Sequence, residues 1–255
     1  MTSPTEQRKR IVRQHLETSQ LMGVDFLPVR LEAAAESPAA PATGSNPGAP
    51  SPAAAPDAAA IQAKAEALNQ LRAEHDANCP HCTTATGHTQ TVFGEGHPDA
   101  RLMFIGEAPG AEEDRTGRPF VGRAGQKLDD MIRAMGLTRP EVYIGNILKS
   151  RPPGNRTPLA PEVAGCSPFL AEQIRIIEPE VIVALGGPAA KFLLQTEIGI
   201  TRLRGRWSIY ADGERRVDVM PTYHPAYILR RYTRETREQV WADLQAVMDR
   251  LGLVR

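Results

Sequence analysis

Arg101-Leu-Met-Phe-Ile-Gly-Glu-Ala-Pro-Gly110 carries an apolar run of strand length that closes on a glycine and then on a loop no packed core requires. Three further runs have the same form. Val142-Tyr-Ile144 ends in Gly145-Asn146, followed by Arg151-Pro-Pro-Gly-Asn-Arg156; Val181-Ile-Val-Ala-Leu185 ends in Gly186-Gly187; Val217-Asp-Val-Met220 leads through Pro221 to His224-Pro-Ala226. Helical stretches over 124–135, 161–177, 188–195 and 233–251 alternate with them, and a hairpin is expected around Ala211-Asp-Gly-Glu214. Strands spaced by helices predict parallel βαβ units. The expected fold class is α/β: a three-layer α/β/α sandwich on a central, mostly parallel four-stranded sheet. Ligands of such sheets sit at the carboxyl ends of the strands, so the four motifs should converge there.

Outward from this core the composition changes. Residues 6 to about 22 place Ile11, Val12 and Leu16 near one face of a helix, and 33–60 are Ala, Pro, Ser and Gly with few charges, too apolar-poor to offset ordering entropy. The expected organisation is an N-terminal helical segment at 1–32, an Ala/Pro-rich disordered linker at 33–60 and a catalytic domain at 61–255. The N-terminal helix reads either as docking on its own domain or as a tethered helix for a protein partner. The 255 residues carry a formal net charge of zero, which argues against a generic polycation, yet 115–156 and 202–237 are basic on balance. No apolar run reaches membrane-span length and the start has no signal-peptide core, so a cytoplasmic monomer without a membrane partner is expected.

Gly106-Glu-Ala-Pro-Gly110 is neither a dinucleotide fingerprint nor a P-loop, and Pro109 removes one backbone donor, so no nucleotide cofactor is expected. Phe120 lies in the loop Arg115-Thr-Gly-Arg-Pro-Phe-Val-Gly-Arg-Ala-Gly125, where no hydrophobic period places it. It reads either as a plug under the loop or as a flat surface for a planar ligand. Asn146 offers one acceptor and two donors in a plane at a strand end. His224, held by Pro225, stands at the corresponding end of another strand.

Together these residues resemble the uracil-DNA glycosylase superfamily, most closely its iron–sulfur family 4, over about two thirds of the chain. Gly106-Glu-Ala-Pro-Gly110 with Glu113-Asp114 is similar to the family's first motif, Gly117 to Gly125 to its base-stacking segment, Asn146 with Lys149 and Arg151 to Arg156 to its base-reading segment, and His224 to Arg230 to its second motif. The resemblance implies hydrolysis of the N-glycosidic bond of uracil flipped out of single- or double-stranded DNA. It implies Phe120 stacking on the base, Asn146 reading its edge, His224 donating to uracil O2, and Gly106, Ala108, Pro109 and Gly110 forming the substrate loop. Where the superfamily's best-known branch has a carboxylate, this chain has Ala108; Glu107 and Glu113 stand unranked as the group that positions water. Flanking arginines and Lys127 are expected on phosphates, and Tyr227, Ile228 and Leu229 read either as a wedge entering the gap or as core. The alternative function is a lesion-binding protein that uses the pocket without efficient hydrolysis.

Cys79-Pro-His-Cys82 follows a helix and precedes a Thr/Gly-rich stretch, the wrong context for a redox Cys-x-x-Cys, and reads as a ligand pair with Cys166 as a third. The resemblance implies a [4Fe-4S] cluster whose remaining ligand position is occupied by Ser150. An alkoxide is a poorer iron ligand than a thiolate. Three outcomes stand open: a labile cluster with Ser150 or His81 as fourth ligand, a three-iron cluster, or no cluster.

Overall fold

The computed structural model describes residues 58–253; the expected N-terminal helix and most of the expected linker lie outside them. Helix α1 (Ala58–Asn78) is followed by β1 (Glu95–Gly96), β2 (Leu102–Gly106), α2 (Ala111–Thr116), α3 (Arg123–Ala134) and β3 (Tyr143–Asn146). Then come α4 (Ala160–Ile177), β4 (Val181–Leu185), α5 (Gly187–Leu194), α6 (Ile200–Leu203), β5 (Ser208–Asp212), β6 (Arg215–Thr222), α7 (Pro225–Arg230) and α8 (Arg234–Arg250).

The sheet order is β1-β3-β2-β4-β6-β5. The four expected strands form its parallel centre, and antiparallel β1 and β5 are added at the two edges. The sheet is therefore six-stranded rather than four-stranded. β5 and β6 make the expected hairpin, whereas β1 has only two residues and no apolar alternation to announce it.

Period-two alternation builds two cores. Met103, Ile105, Ile182 and Ala184 face a layer containing Leu170 and Ile174 of α4 and Ala189, Ala190 and Leu193 of α5. Leu102, Phe104, Val181 and Val183 face the opposite layer, with Leu128, Met131 and Ile132 of α3 and Val240, Leu244 and Val247 of α8. β2 and β4 are buried on both faces, as parallel strands under two helical layers must be. Parallel register sets Gly106 beside Asn146 and Leu185 beside Thr222, so all four strand-end motifs open on one edge of the sandwich.

Candidate active site

A cavity of about 580 Å³ opens at those strand ends, lined among others by Glu107, Pro109, Phe120, Asn146, Tyr227 and His224. Ala108, Gly110 and Glu113 also reach it. Gly106 packs against two of the lining residues: a β-carbon there would stand 2.5 Å from Phe120 Cζ and closer still to Asn146 Oδ1. Nine of the residues singled out in the sequence thus meet at one place.

Asn146 is buried, and its Oδ1 has no hydrogen-bond partner. An unsatisfied buried acceptor costs on the order of 1–3 kcal/mol, so this atom is held ready for a donor from a ligand. Its own carbonyl accepts from Lys149 Nζ at 2.8 Å, which fixes the residue from behind. Burial holds the Lys149 ammonium down to about 8. Glu107 Oε1 is likewise buried without a partner, and burial raises its carboxyl above the ordinary range.

His224 caps α7: its Nδ1 accepts from the Ala226 backbone N–H at 3.1 Å, with Pro225 at the first helical position. An accepting Nδ1 leaves the ring proton on Nε2. Burial, reinforced by Arg230, pushes the imidazole down to about 4, so at neutral pH it is an uncharged Nε2–H donor. Phe120 packs beside it, with ring centroids 5.6 Å apart at 32°.

The backbone at Phe120 is in the left-handed region (φ 50), a strained conformation for a bulky residue, and the surroundings hold it there. Glu113 Oε1 accepts from Val121 N at 2.8 Å and Gly122 N at 2.9 Å, while Oε2 accepts from Gly110 N at 3.1 Å. The Arg139 guanidinium donates to the carbonyls of Pro119 and Phe120. Gly125 is required because a β-carbon there would overlap the Phe120 carbonyl. Glu113 therefore lines the cavity but spends both oxygens tying the first-motif loop to the stacking loop. Glu113→Gln keeps one acceptor oxygen of the two and loses the charge; it is expected to cost about 1.5–3 kcal/mol of stability in a denaturant melt.

The family model for the uracil DNA glycosylase superfamily matches residues 93–245. The chain belongs to the uracil-DNA glycosylase superfamily. Within it, the chain is 45% identical over 181 residues to a type-4 uracil-DNA glycosylase of Thermotoga maritima, covering 71% of this chain and 93% of that protein. It is 40% identical over 179 residues to the type-4 enzyme of Archaeoglobus fulgidus, covering 69% and 89%. A type-5 uracil-DNA glycosylase of Pyrobaculum aerophilum is 34% identical over 182 residues, covering 58% and 78%.

Around the cavity of this superfamily member, several arginines expected on phosphates are already paired: Arg115 with Glu112, Arg118 with Glu95, Arg156 with Glu162. Lys127 is buried with Nζ 3.6 Å from Asp130, which removes it from the phosphate-binding set. Arg230 is exposed at the cavity wall. Of the three wedge candidates, Ile228 is core, and Tyr227 stacks on Tyr223 with centroids 4.7 Å apart. Among the described residues no helix is long and apolar enough to cross a membrane.

Behind β3 lies a second cluster of donors. Cys79, Cys82 and Cys166 come together as expected, and the fourth member is His75 of α1, with all four ligand atoms within 4.8 Å of one another. This group could hold a metal. Ser150 lies beside it, but its Oγ is engaged by Cys82 Sγ at 3.4 Å and His81 Nε2 at 3.2 Å. The residues present do not fit a cube held by four cysteines: the fourth thiolate is missing, and the sulfurs of Cys82 and Cys166 are only 3.7 Å apart. His75 was missed in the sequence because its position on the inner face of α1 reads as helix core; the one available signal was its place four residues before Cys79.

Proposed function

We propose that this chain is a DNA glycosylase that hydrolyses the N-glycosidic bond of uracil flipped from DNA and leaves an abasic site for base excision repair. The observation that carries the reading is the pairing of an unpartnered, buried Asn146 Oδ1 with a neutral His224 Nε2–H in one cavity beside Phe120. The 39–45% identity to type-4 enzymes over most of the chain supports it.

The flipped base enters between Phe120 and the first-motif loop of Gly106, Ala108, Pro109 and Gly110. Asn146 Oδ1 accepts from uracil N3–H and its amide donates to O4; cytosine presents the reversed pattern and is rejected. As the bond breaks, negative charge grows on uracil O2, and a fixed N–H donor aimed there stabilises it in a site with little water. A neutral imidazole supplies that hydrogen bond without a proton transfer. Glu107 then orients the water that attacks the sugar cation. Its free Oε1 favours it over Glu113, whose oxygens are occupied. Flipping costs a few kcal/mol, and less from mismatches or single strands, and Arg230 adds salt-dependent affinity at the cavity mouth. No step passes through the group formed by His75 and the three cysteines.

The test is base release from oligonucleotides that carry one uracil, thymine or cytosine. Release of uracil alone is expected; tight binding of the uracil strand without release would favour the lesion-binding alternative. The pH profile of turnover gives a second check. Glu107 works ionised, and burial raises its carboxyl above the ordinary range, whereas His224 stays neutral down to about 4. Turnover is therefore flat near neutrality and falls on the acid side through the Glu107 limb, which Glu107→Gln removes, leaving a lower rate with a limb near 4.

A further inference from the structure

Base removal makes no use of the donor group formed by His75, Cys79, Cys82 and Cys166. All four residues are buried. Four ligands about 2.0–2.3 Å from one zinc ion stand at the corners of a tetrahedron with edges of about 3.5–3.8 Å. Cys82 Sγ to Cys166 Sγ is 3.7 Å and His75 Nε2 to Cys166 Sγ is 4.0 Å. In a four-iron cube each thiolate sits on a different iron, and the ligand sulfurs are splayed by an iron–iron edge plus two outward bonds. These two distances approach the edges around one ion, and all four ligand atoms lie within 4.8 Å of one another, closer than that splay.

The surrounding hydrogen bonds prepare these atoms as ligands. His75 Nδ1 lies 2.9 Å from Asp76 Oδ1, and a carboxylate only accepts, so Nδ1 holds the proton and the Nε2 lone pair faces the thiols. Thr91 Oγ1 donates to the same carboxylate oxygen at 2.7 Å. A histidine anchored through its far nitrogen by a carboxylate is the usual support of a metal-bound imidazole. Two sulfurs receive backbone N–H donors, Cys79 from Cys82 at 3.4 Å and Cys166 from Lys149 at 3.1 Å. The buried Lys149 ammonium offsets the single negative charge that three thiolates leave on a divalent ion.

We infer that Cys79, Cys82, Cys166 and His75 bind one tetrahedral zinc ion in place of an iron–sulfur cluster, with Ser150 outside the coordination shell. Binding releases three thiol protons to solvent and moves no electrons. The ion would tie α1 and the loop that follows it to α4, and the Lys149 N–H donated to Cys166 Sγ links that group to the segment after β3, the strand that ends in Asn146.

The full chain, isolated anaerobically from cells supplied with both iron and zinc, is analysed for metals and acid-labile sulfide. About one zinc per chain, no sulfide and no visible absorption are expected. Chelator competition should show zinc affinity unchanged in Ser150→Ala and reduced about 10–100-fold in Asp76→Ala. Iron and sulfide in stoichiometric amounts, no stoichiometric metal, or loss of zinc in Ser150→Ala would each overturn the assignment. Cobalt(II) exchanged into the wild-type chain needs no variant: intense tetrahedral bands with thiolate charge transfer are expected, and weak octahedral bands contradict the site. None of these readouts depends on uracil release.

Discussion

His224→Ala lowers the turnover of a uracil-bearing oligonucleotide by about 10²–10³-fold, with KM changed far less, because the lost hydrogen bond strengthens only as charge reaches uracil O2. The side chain also caps α7 through Nδ1, so removing it costs roughly 1 kcal/mol of stability. His224→Asn separates the two effects. An asparagine restores the cap but cannot place a donor where Nε2–H stands, so its melting temperature returns toward wild type while turnover stays low. Single-turnover rates and thermal melts of the two variants decide the matter; a fast His224→Ala enzyme would remove His224 from the reaction.

Gly106→Ala is expected to reduce turnover about 10²-fold while leaving the fold in place, since reacting groups displaced by roughly an ångström lose about that much. One added methyl meets both Asn146 Oδ1 and Phe120 Cζ, the groups proposed to read and stack the base. Neither can retreat easily. Phe120 is pinned in a left-handed backbone by Glu113 and Arg139, and Asn146 is held by Lys149. Equilibrium binding of a uracil strand should weaken in parallel with turnover, in contrast to His224→Ala. Unchanged binding and turnover in Gly106→Ala would show that Asn146 and Phe120 do not clasp the base.

The strands and their terminal motifs were legible because burial on both faces makes β2 and β4 continuous apolar runs, and glycines mark where the chain turns into the crevice. The edge strand β1 was less so. Glu95–Gly96 is too short for alternation, and its pairing depends on β3 lying beside it. The pocket residues could be named from motifs, yet the division of labour between Glu107 and Glu113 could not, since it depends on backbone N–H groups of Gly110, Val121 and Gly122 converging on one carboxylate. His75 was hidden for a related reason: a histidine on the inner face of a helix carries the same local pattern whether it packs or ligates. Its meaning is set by Cys166, 91 residues away.

Lys149 belongs to two neighbourhoods at once. Its backbone N–H points at Cys166 Sγ, and its ammonium reaches the Asn146 carbonyl and Gln173 Oε1 at 2.8 and 2.5 Å. A single buried residue thus joins the cysteine cluster, through its backbone N–H, to the strand end that carries Asn146, through its ammonium. If Asn146 reads the base as proposed, oxidation of the cysteines would disturb that strand end before it touched Arg230 at the cavity mouth, and base selectivity should fall before affinity for DNA does.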